Sequence, residues 1–194
     1  MMIKYLPHKR LLLLIVICSA FHTHAVNVLA AERYFSVSTG IFSPGNTSTL
    51  DANSQPLTTN YATGWAVNGA IGVGLDNGLR LENELAYKTA SSDAWALGWL
   101  INIWWDAKNS TPFTPYIGGG FGFGRGHAAS PGIVDNDITG IAYQAGGGVA
   151  WKLQPQLSLD LGYRYFGIAD ASSRSIGVKD LSGSSVMFGI RYKF

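Results

Sequence analysis

The strongest constraint on the fold lies in the last eleven residues of this 194-residue chain, which read SSVMFGIRYKF. Every second side chain in this segment is apolar, and these are Val186, Phe188, Ile190, Tyr192 and Phe194. Successive side chains of a β-strand point to opposite faces, so a strict period of two predicts a strand with one apolar face. The segment therefore predicts that the chain closes on a half-buried β-strand.

The same segment resembles the terminal signal by which bacterial outer-membrane β-barrels are recognised for insertion. In that signal a glycine and an aromatic residue precede a terminal phenylalanine, and the matching positions here are Gly189, Tyr192 and Phe194. The resemblance implies that the barrel-assembly machinery is a partner of the chain. The alternative for this segment alone is the last strand of a soluble β-sandwich.

The first 31 residues have the layout of a secretory signal peptide. They begin with a basic region formed by Lys4, Lys9 and Arg10. An apolar stretch over 11–20 follows, and it is too short to cross a bilayer as a helix. Small residues at Ala30 and Ala31 offer a cleavage site. We expect a signal peptide at 1–31 and an outer-membrane β-barrel domain at 32–194.

The single cysteine, Cys18, lies inside this segment. A cysteine that receives a lipid usually follows a small residue, whereas Ile17 is bulky. We therefore expect Cys18 to leave with the signal peptide rather than to be lipidated. The mature chain then has no cysteine, which fits an oxidising compartment in which the protein uses no disulfide.

Removal of the signal peptide also changes the charge balance. Three of the 14 Lys and Arg residues precede Glu32, but all 12 Asp and Glu residues lie from Glu32 onward, so the mature net charge is about −1. The apparent basicity thus belongs to the signal peptide, so nothing in the charge balance argues for nucleic acid, and we expect none as a partner. The mature chain also has no apolar run long enough for a membrane helix. Its many glycines and aromatic residues and its sparse charge favour a β-protein that faces lipid.

Eight segments of alternating polarity follow Arg33, each near the length of a strand that crosses a membrane at a tilt. They span 35–41, 65–75, 79–88, 95–106, 116–124, 141–152, 157–165 and 184–194. Short connections at 76–78, 107–112 and 153–156 alternate with connections at 43–64, 89–93, 126–140 and 167–183. Outer-membrane barrels keep short turns on the periplasmic side and longer loops outside. The order predicts an all-β, eight-stranded antiparallel transmembrane barrel with both termini in the periplasm.

A soluble lipocalin-like barrel is the alternative with the same number of strands. It differs from a membrane barrel in the direction of its apolar side chains, which would point inward. The polar faces carry charges in the middle of strands, at Arg80, Glu82, Glu84, Asp160, Arg164 and Arg191. A lipid-facing Arg or Lys at that depth costs about 2–4 kcal/mol, whereas charges in a small lumen can pair. A water-exposed exterior would also accept them, so the signal peptide and Phe194 decide for the membrane barrel.

Aromatic residues near the segment ends agree with this choice, since Trp and Tyr prefer the bilayer interface. They are Tyr87, Trp95, Trp105, Tyr143, Trp151, Tyr163, Tyr165 and Tyr192. An aromatic soluble core is the alternative interpretation of the same residues.

Two local motifs, PYIGGGFG at 115–122 and LDLGYRY at 159–165, extend the resemblance over residues 33–194. With them the chain resembles the opacity-protein-like and outer-membrane-protein-A-like small barrels of Gram-negative bacteria. That family includes adhesins, surface antigens and structural barrels. Because the chain ends at its last strand, we expect no appended peptidoglycan-binding domain.

The interior of an eight-stranded barrel is just wide enough for side chains. Glycines on the predicted inward face, at positions 118, 120, 122, 124, 146 and 148, leave room for Arg164, Arg191, Tyr116 and Glu82 to cross it. We therefore expect a plugged, salt-bridged lumen rather than an open channel. Strand curvature is the other use of such glycines.

Candidate catalytic residues are few. A lipid deacylase would need a serine and a carboxylate beside His127, and Ser130, Asp135 and Asp137 follow in the same loop without a recognisable motif. We expect a solvated loop histidine, no catalytic residue, no cofactor and no metal, since Asp135 and Asp137 alone are too few to hold calcium. Glu82 and Glu84 are flanked by Arg80 and Lys88, which favours ion pairing over acid–base catalysis.

Three functions remain open on the sequence. The first is an integral outer-membrane barrel with a structural and surface-display role, embedded in lipid and lipopolysaccharide, whose loops at 43–64, 126–140 and 167–183 carry any adhesion or ligand contact. The second is a narrow channel for small solutes. The third is a lipid-modifying enzyme that uses His127.

Overall fold

A computed structural model describes seven ranges of the chain: 32–45, 47–50, 56–59, 62–90, 94–128, 137–170 and 180–194. The expected signal peptide at 1–31, including Cys18 and the cleavage site, lies outside them. So do loop residues 46, 51–55, 60–61, 91–93, 129–136 and 171–179.

The described residues form ten β-strands. They are β1 (Glu32–Pro44), β2 (Thr47–Leu50), β3 (Pro56–Thr59), β4 (Gly64–Gly74), β5 (Leu79–Ala90), β6 (Ala94–Asp106), β7 (Phe113–Ala128), β8 (Asp137–Lys152), β9 (Leu157–Asp170) and β10 (Asp180–Lys193). Eight of them close a barrel in the order β1-β10-β9-β8-β7-β6-β5-β4, and every neighbouring pair is antiparallel. The predicted eight-stranded barrel is confirmed. Across the described ranges there is no helix with the length and apolar character to span a bilayer.

The barrel carries its apolar residues outside, which excludes the lipocalin-like alternative. On β10, Val186 and Phe188 are 56% and 52% exposed, whereas Met187 between them is 3% exposed. The same alternation runs along β5 and β6, where charged and amide side chains point inward. An apolar exterior around a partly polar interior is the arrangement of a barrel that lies in lipid.

The first and last barrel strands pair with each other and leave no open edge. Phe35 lies opposite Tyr192 and Ile41 lies opposite Val186 in this ladder. The Phe194 amide donates a hydrogen bond to the Arg33 carbonyl at 3.0 Å. The terminal segment that dominates the sequence argument is therefore the strand that closes the ring.

We call the end of the barrel that holds Glu32 and Phe194 the turn end, because the turns at 76–78, 107–112 and 153–156 also lie there. At the first of them, Gly78 has φ of 88°, and the Asn77 side chain accepts a hydrogen bond from the Leu79 amide at 3.0 Å. The predicted Asp-Asn-Gly turn is confirmed, and glycine suits it because only glycine adopts this φ without strain. The turns at 107–112 and 153–156 have the predicted bounds.

The opposite end, which we call the loop end, differs from the prediction in length. The β7–β8 connection spans 129–136 rather than 126–140, and the β9–β10 connection spans 171–179 rather than 167–183. Strands continue here because Ile138, Ile168 and Leu181 bury their side chains inside the barrel. The sequence prediction assumed that inward-facing residues are polar, so it did not assign these apolar residues to the strands. The predicted 43–64 loop contains a further hairpin, made of β2 and β3.

Candidate functional site

The interior of the barrel is the candidate site, and it has two layers of different chemistry. Along β6, Ala94, Ala96 and Leu100 point inward near the loop end, whereas Asn102 and Trp104 point inward towards the turn end. The apolar layer, near the loop end, includes Phe42, Leu100, Ile138, Phe166, Ile168, Leu181 and Met187. The ionic layer, towards the turn end, includes Arg80, Glu82, Glu84, Asp106, Asp160, Arg164 and Arg191.

Glu84 is the centre of the first cluster in the ionic layer, and its side chain is almost completely buried. Its Oε1 accepts hydrogen bonds from Asn68 Nδ2 at 3.1 Å and from Gln144 Nε2 at 2.9 Å. Its Oε2 accepts from Asn102 Nδ2 at 3.3 Å and from the Arg164 guanidinium. A buried carboxylate is tolerated only when it is paired and hydrogen-bonded in this way.

Glu82 holds a second cluster one step closer to the turn end. Its Oε2 accepts a hydrogen bond from the Tyr34 hydroxyl at 2.9 Å. Its Oε1 accepts from Trp104 Nε1 at 3.1 Å and from Asn102 Nδ2 at 3.3 Å. The Arg80 guanidinium lies 3.7 Å from Oε2. Asn102 therefore joins the two glutamates through one amide group.

A chain of alternating charges closes the layer at the turn end. Arg80 Nε donates to both oxygens of Asp106, at 2.9 and 3.0 Å. Arg191 NH1 lies 3.7 Å from the same carboxylate, and Arg191 NH2 donates to Asp160 at 2.5 Å. The two guanidinium groups also lie over the Tyr116 ring, at 5.3 and 5.9 Å from its centroid. The predicted salt-bridged interior is confirmed by these pairs.

Lys88 departs from the prediction that it would pair with the two glutamates. Its side chain is fully buried at the boundary with the apolar layer, and Nζ has no hydrogen-bond partner among the described residues. Nζ lies over two aromatic rings, 4.8 Å from the centroid of Phe166 and 5.9 Å from that of Phe42. Cation–π attraction offsets part of the cost of burying this charge.

Close approaches between aromatic rings and glycines make the interior narrow. A Cβ added at Gly148 or Gly162 would lie 2.7 or 2.6 Å from the Tyr116 hydroxyl, so only glycine leaves room for that ring. In the same way, a Cβ added at Gly146 would lie 3.1 Å from Cγ of Arg164. The expectation that inward glycines make room for Tyr116 and Arg164 is thus confirmed. Other predicted glycines accommodate side chains that the sequence argument did not assign, such as Trp104 beside Gly118.

Two cavities mark the free space inside the ionic layer. The larger has a volume of about 210 Å³ and lies at the turn end, between Tyr34, Arg80, Asp106 and Arg191. The smaller, about 20 Å³, lies deeper and also contacts Arg80 and Arg191. Water can therefore enter from the turn end as far as this pair of arginines. Beyond them lie the buried side chains of the ionic and apolar layers that the structure describes.

Of the candidate catalytic residues, the described part of the chain includes His127 and Asp137, which lie opposite each other in the β7–β8 ladder. His127 belongs to strand β7 rather than to a loop, and it is half-buried, with Trp95 opposite it in the ladder to β6. The backbone of Asp137 pairs with that of His127 on the other side, while Ser130 and Asp135 lie outside the described ranges. In the part of the chain that the structure describes, no group of three His, Cys, Asp or Glu side chains fits a metal ion.

Comparison with known proteins identifies the family. The family model for the outer membrane protein beta-barrel domain matches residues 11–194. No curated protein sequence matches the chain.

Several solved structures have the same fold. The Neisserial surface protein A (NspA) is 19% identical, with a TM-score of 0.63 over 86% of this chain and 100% of that chain. The N-terminal β-barrel domain of Pseudomonas aeruginosa OprF is 10% identical, with a TM-score of 0.54 over 84% and 97% of the two chains. The outer membrane enzyme PagL is 11% identical, with a TM-score of 0.50 over 79% and 97%. Identities this low show a shared fold, while the family match covers almost the whole sequence. The chain therefore belongs to the outer membrane protein beta-barrel domain family and is an integral protein of the outer membrane.

Proposed function

We propose that this protein is a closed structural barrel that displays its loops at the cell surface and catalyses no reaction. The observation that carries the proposal is the filled interior, in which the ionic layer and the apolar layer follow each other along the barrel axis. In this proposal, the described interior offers solutes no continuous path along the barrel axis. The surface that it displays is then the set of loops that joins β1 to β4, β7 to β8 and β9 to β10.

The proposal assigns the turn end to the periplasm and the loop end to the exterior. Short turns on the periplasmic side are the rule for outer-membrane barrels, and the turn end holds the short connections after β4, β6 and β8. The loop end holds the three longer connections and one short one, which spans 91–93 rather than the predicted 89–93. Residues 1–31 act as the signal peptide in this scheme. Any adhesion or ligand contact belongs to the connections at the loop end, which span 45–63, 129–136 and 171–179.

Lipid and the assembly machinery are the partners that the described residues support. Tyr192 and Phe194 face outward, and Phe194 is 73% exposed, so both remain accessible to a partner that reads the terminal strand with Gly189. Aromatic pairs on the outer surface, such as Phe113 with Trp151, suit the interface between the hydrocarbon and the headgroups of phospholipid or lipopolysaccharide.

A narrow channel is the second candidate, and the 210 Å³ cavity at the turn end favours it. Conduction would require the apolar layer around Phe166 and Met187 to open, in addition to a path between Arg80 and Arg191. The buried contacts of both layers argue that the closed form predominates.

Single-channel recording separates the two candidates. Residues 32–194 are refolded into detergent, checked for heat-sensitive gel migration, and inserted into planar bilayers. We expect a silent bilayer from the parent chain. Discrete and reproducible current steps would refute the closed barrel and support the channel.

Surface display is tested by labelling whole cells with a membrane-impermeant maleimide. The mature chain has no cysteine, so single substitutions report their own position. We expect Thr63→Cys, an exposed residue at the loop end, to be labelled, and the matched Ser110→Cys at the turn end to be protected until the cells are lysed. Labelling of Ser110→Cys in intact cells would reverse the orientation.

A further inference from the structure

An amide side chain, that of Asn83, lies among the apolar residues of the barrel exterior. Asn83 points outward from β5, between Leu81 and Leu85 along the strand. Its partners in the two ladders are Ile71 on β4 and Ile101 on β6. These four aliphatic residues are all exposed on the lipid-facing surface, so the amide lies in an otherwise aliphatic patch.

The position of Asn83 along the strand places it inside the hydrocarbon. Leu79, four residues towards the turn end, lies opposite Trp105, which belongs to the aromatic belt at that end. Four residues of a tilted strand rise about 10 Å along the membrane normal. Tyr87 of the other belt lies four residues further in the opposite direction. Asn83 is thus midway between the two belts.

Only half of the amide group is satisfied within the barrel. Its Oδ1 accepts a hydrogen bond from Trp99 Nε1 at 2.8 Å, and the Trp99 ring is held by stacking on Phe123. Among the described residues, Asn83 makes no other hydrogen bond, so the two N–H groups of Nδ2 lack an acceptor. Thr39, also on the lipid-facing surface, differs because its hydroxyl donates to the Ala66 carbonyl at 3.1 Å.

The missing acceptor has to come from outside the barrel, because acyl chains offer none. Polar groups inside a membrane are costly and usually mark a functional contact. A second copy of this chain supplies the right group. All copies insert in the same direction, so a two-fold axis along the membrane normal brings residues of equal depth together. Each Asn83 then meets the partner's Asn83, and an amide is both donor and acceptor.

We propose that the outward face of β4, β5 and β6 is a homodimer interface centred on Asn83. The surrounding surface permits a close approach. Gly69, diagonally next to Asn83 on β4, has open space within 4 Å of the position of a Cβ. Amide hydrogen bonds between membrane-spanning segments contribute modestly, so the dimer is a reversible one that depends on protein density in the membrane.

Energy transfer between labelled barrels in lipid vesicles tests the proposal. Donor and acceptor dyes are attached to Ser110→Cys at the turn end, and transfer is measured against the protein-to-lipid ratio. Asn83→Leu is expected to weaken association about five-fold to ten-fold, as the loss of one or two amide hydrogen bonds predicts. Asn83→Gln keeps the amide and is expected to retain association. The matched control is Thr39→Val, which removes a lipid-facing polar group that is already satisfied and is expected to change nothing.

Two results would overturn the proposal. One is transfer from the parent barrel that never exceeds random proximity, which would leave the face to lipid. The other is equal transfer from the parent and from Asn83→Leu, which would place any contact between copies on another face. Heat-sensitive gel migration of every variant shows that each one is folded before its transfer is interpreted.

Discussion

Replacement of Arg164 by methionine tests the ionic layer directly. Arg164 forms an ion pair with Glu84, and both side chains are buried. Among the described residues, it is the only cation that donates a hydrogen bond to Glu84. The guanidinium also lies over the Trp104 ring, 4.7 Å from its centroid. Methionine occupies a similar volume and leaves Glu84 with amide donors only.

The magnitude follows from these contacts. Removal of one partner from a buried ion pair costs about 3–5 kcal/mol because the other charge stays behind. Loss of the cation–π contact adds about 1 kcal/mol, and the apolar contacts of methionine offset a similar amount. We expect Arg164→Met to lower the free energy of unfolding by about 4 kcal/mol.

The companion variant is Glu84→Gln, which removes the charge and retains an oxygen for Asn68 or Gln144. Arg164 keeps Glu82 as a nearby anion, so we expect a smaller loss of about 2 kcal/mol. In the double variant no uncompensated Glu84 charge remains. We therefore expect Glu84→Gln to restore stability when it is added to Arg164→Met, by about 1–2 kcal/mol.

The assay is reversible urea unfolding in lipid vesicles, followed by tryptophan fluorescence and by heat-sensitive gel migration. The order of stability is expected to be parent, then Glu84→Gln, then the double variant, then Arg164→Met. A cost below about 1 kcal/mol for Arg164→Met would refute the assigned strength of the pair. A double variant less stable than Arg164→Met would refute the claim that the stranded charge causes the loss.

Three further changes probe other parts of the barrel. Lys88→Met is expected to raise the free energy of unfolding by about 2 kcal/mol in the same urea assay, because it removes a buried charge whose main described contact is the Phe166 ring; a loss of stability would contradict this. Gly78→Ala is expected to lower it by about 2 kcal/mol, since φ is positive and the new Cβ lies 2.6 Å from the Asp106 carbonyl; an unchanged midpoint would show that the turn adapts. Deletion of Phe194 is expected to reduce the amount of barrel assembled in cells while refolding into detergent stays efficient, and equal losses in both would point to stability instead of recognition.

Much of the fold could be predicted from local pattern. The period of two in the terminal segment, the Asp-Asn-Gly turn and the short connections fixed the strand order, because each feature is set by residues close together in sequence. The inward position of Glu84 and Arg164 followed from the cost of charge in lipid. These inferences needed no knowledge of which distant side chains meet.

The apolar layer was missed for the opposite reason. Phe42, Phe166 and Ile168 are apolar residues in the inward register, and an alternating pattern assigns apolar side chains to lipid. Their burial depends on contacts across the lumen between strands far apart in sequence. The position of Lys88 could not be predicted for the same reason. The sequence places this lysine near Glu82 and Glu84, but it does not give the distances between their side chains.

The interior charges also have a consequence for the register of the barrel. A shift of one residue between neighbouring strands would exchange the two faces of the shifted strand. On β5 it would move Arg80, Glu82, Glu84 and Lys88 into lipid and bring Leu81 and Leu85 inside. Each cation alone would cost about 2–4 kcal/mol at the bilayer midplane, and less near its surfaces. A barrel whose interior side chains were all uncharged could shift its register at a lower cost in free energy. The ionic layer therefore makes the observed register the stable one even where its net contribution to stability is small, and the apolar layer fills the described interior near the loop end, where no ion pairing is required.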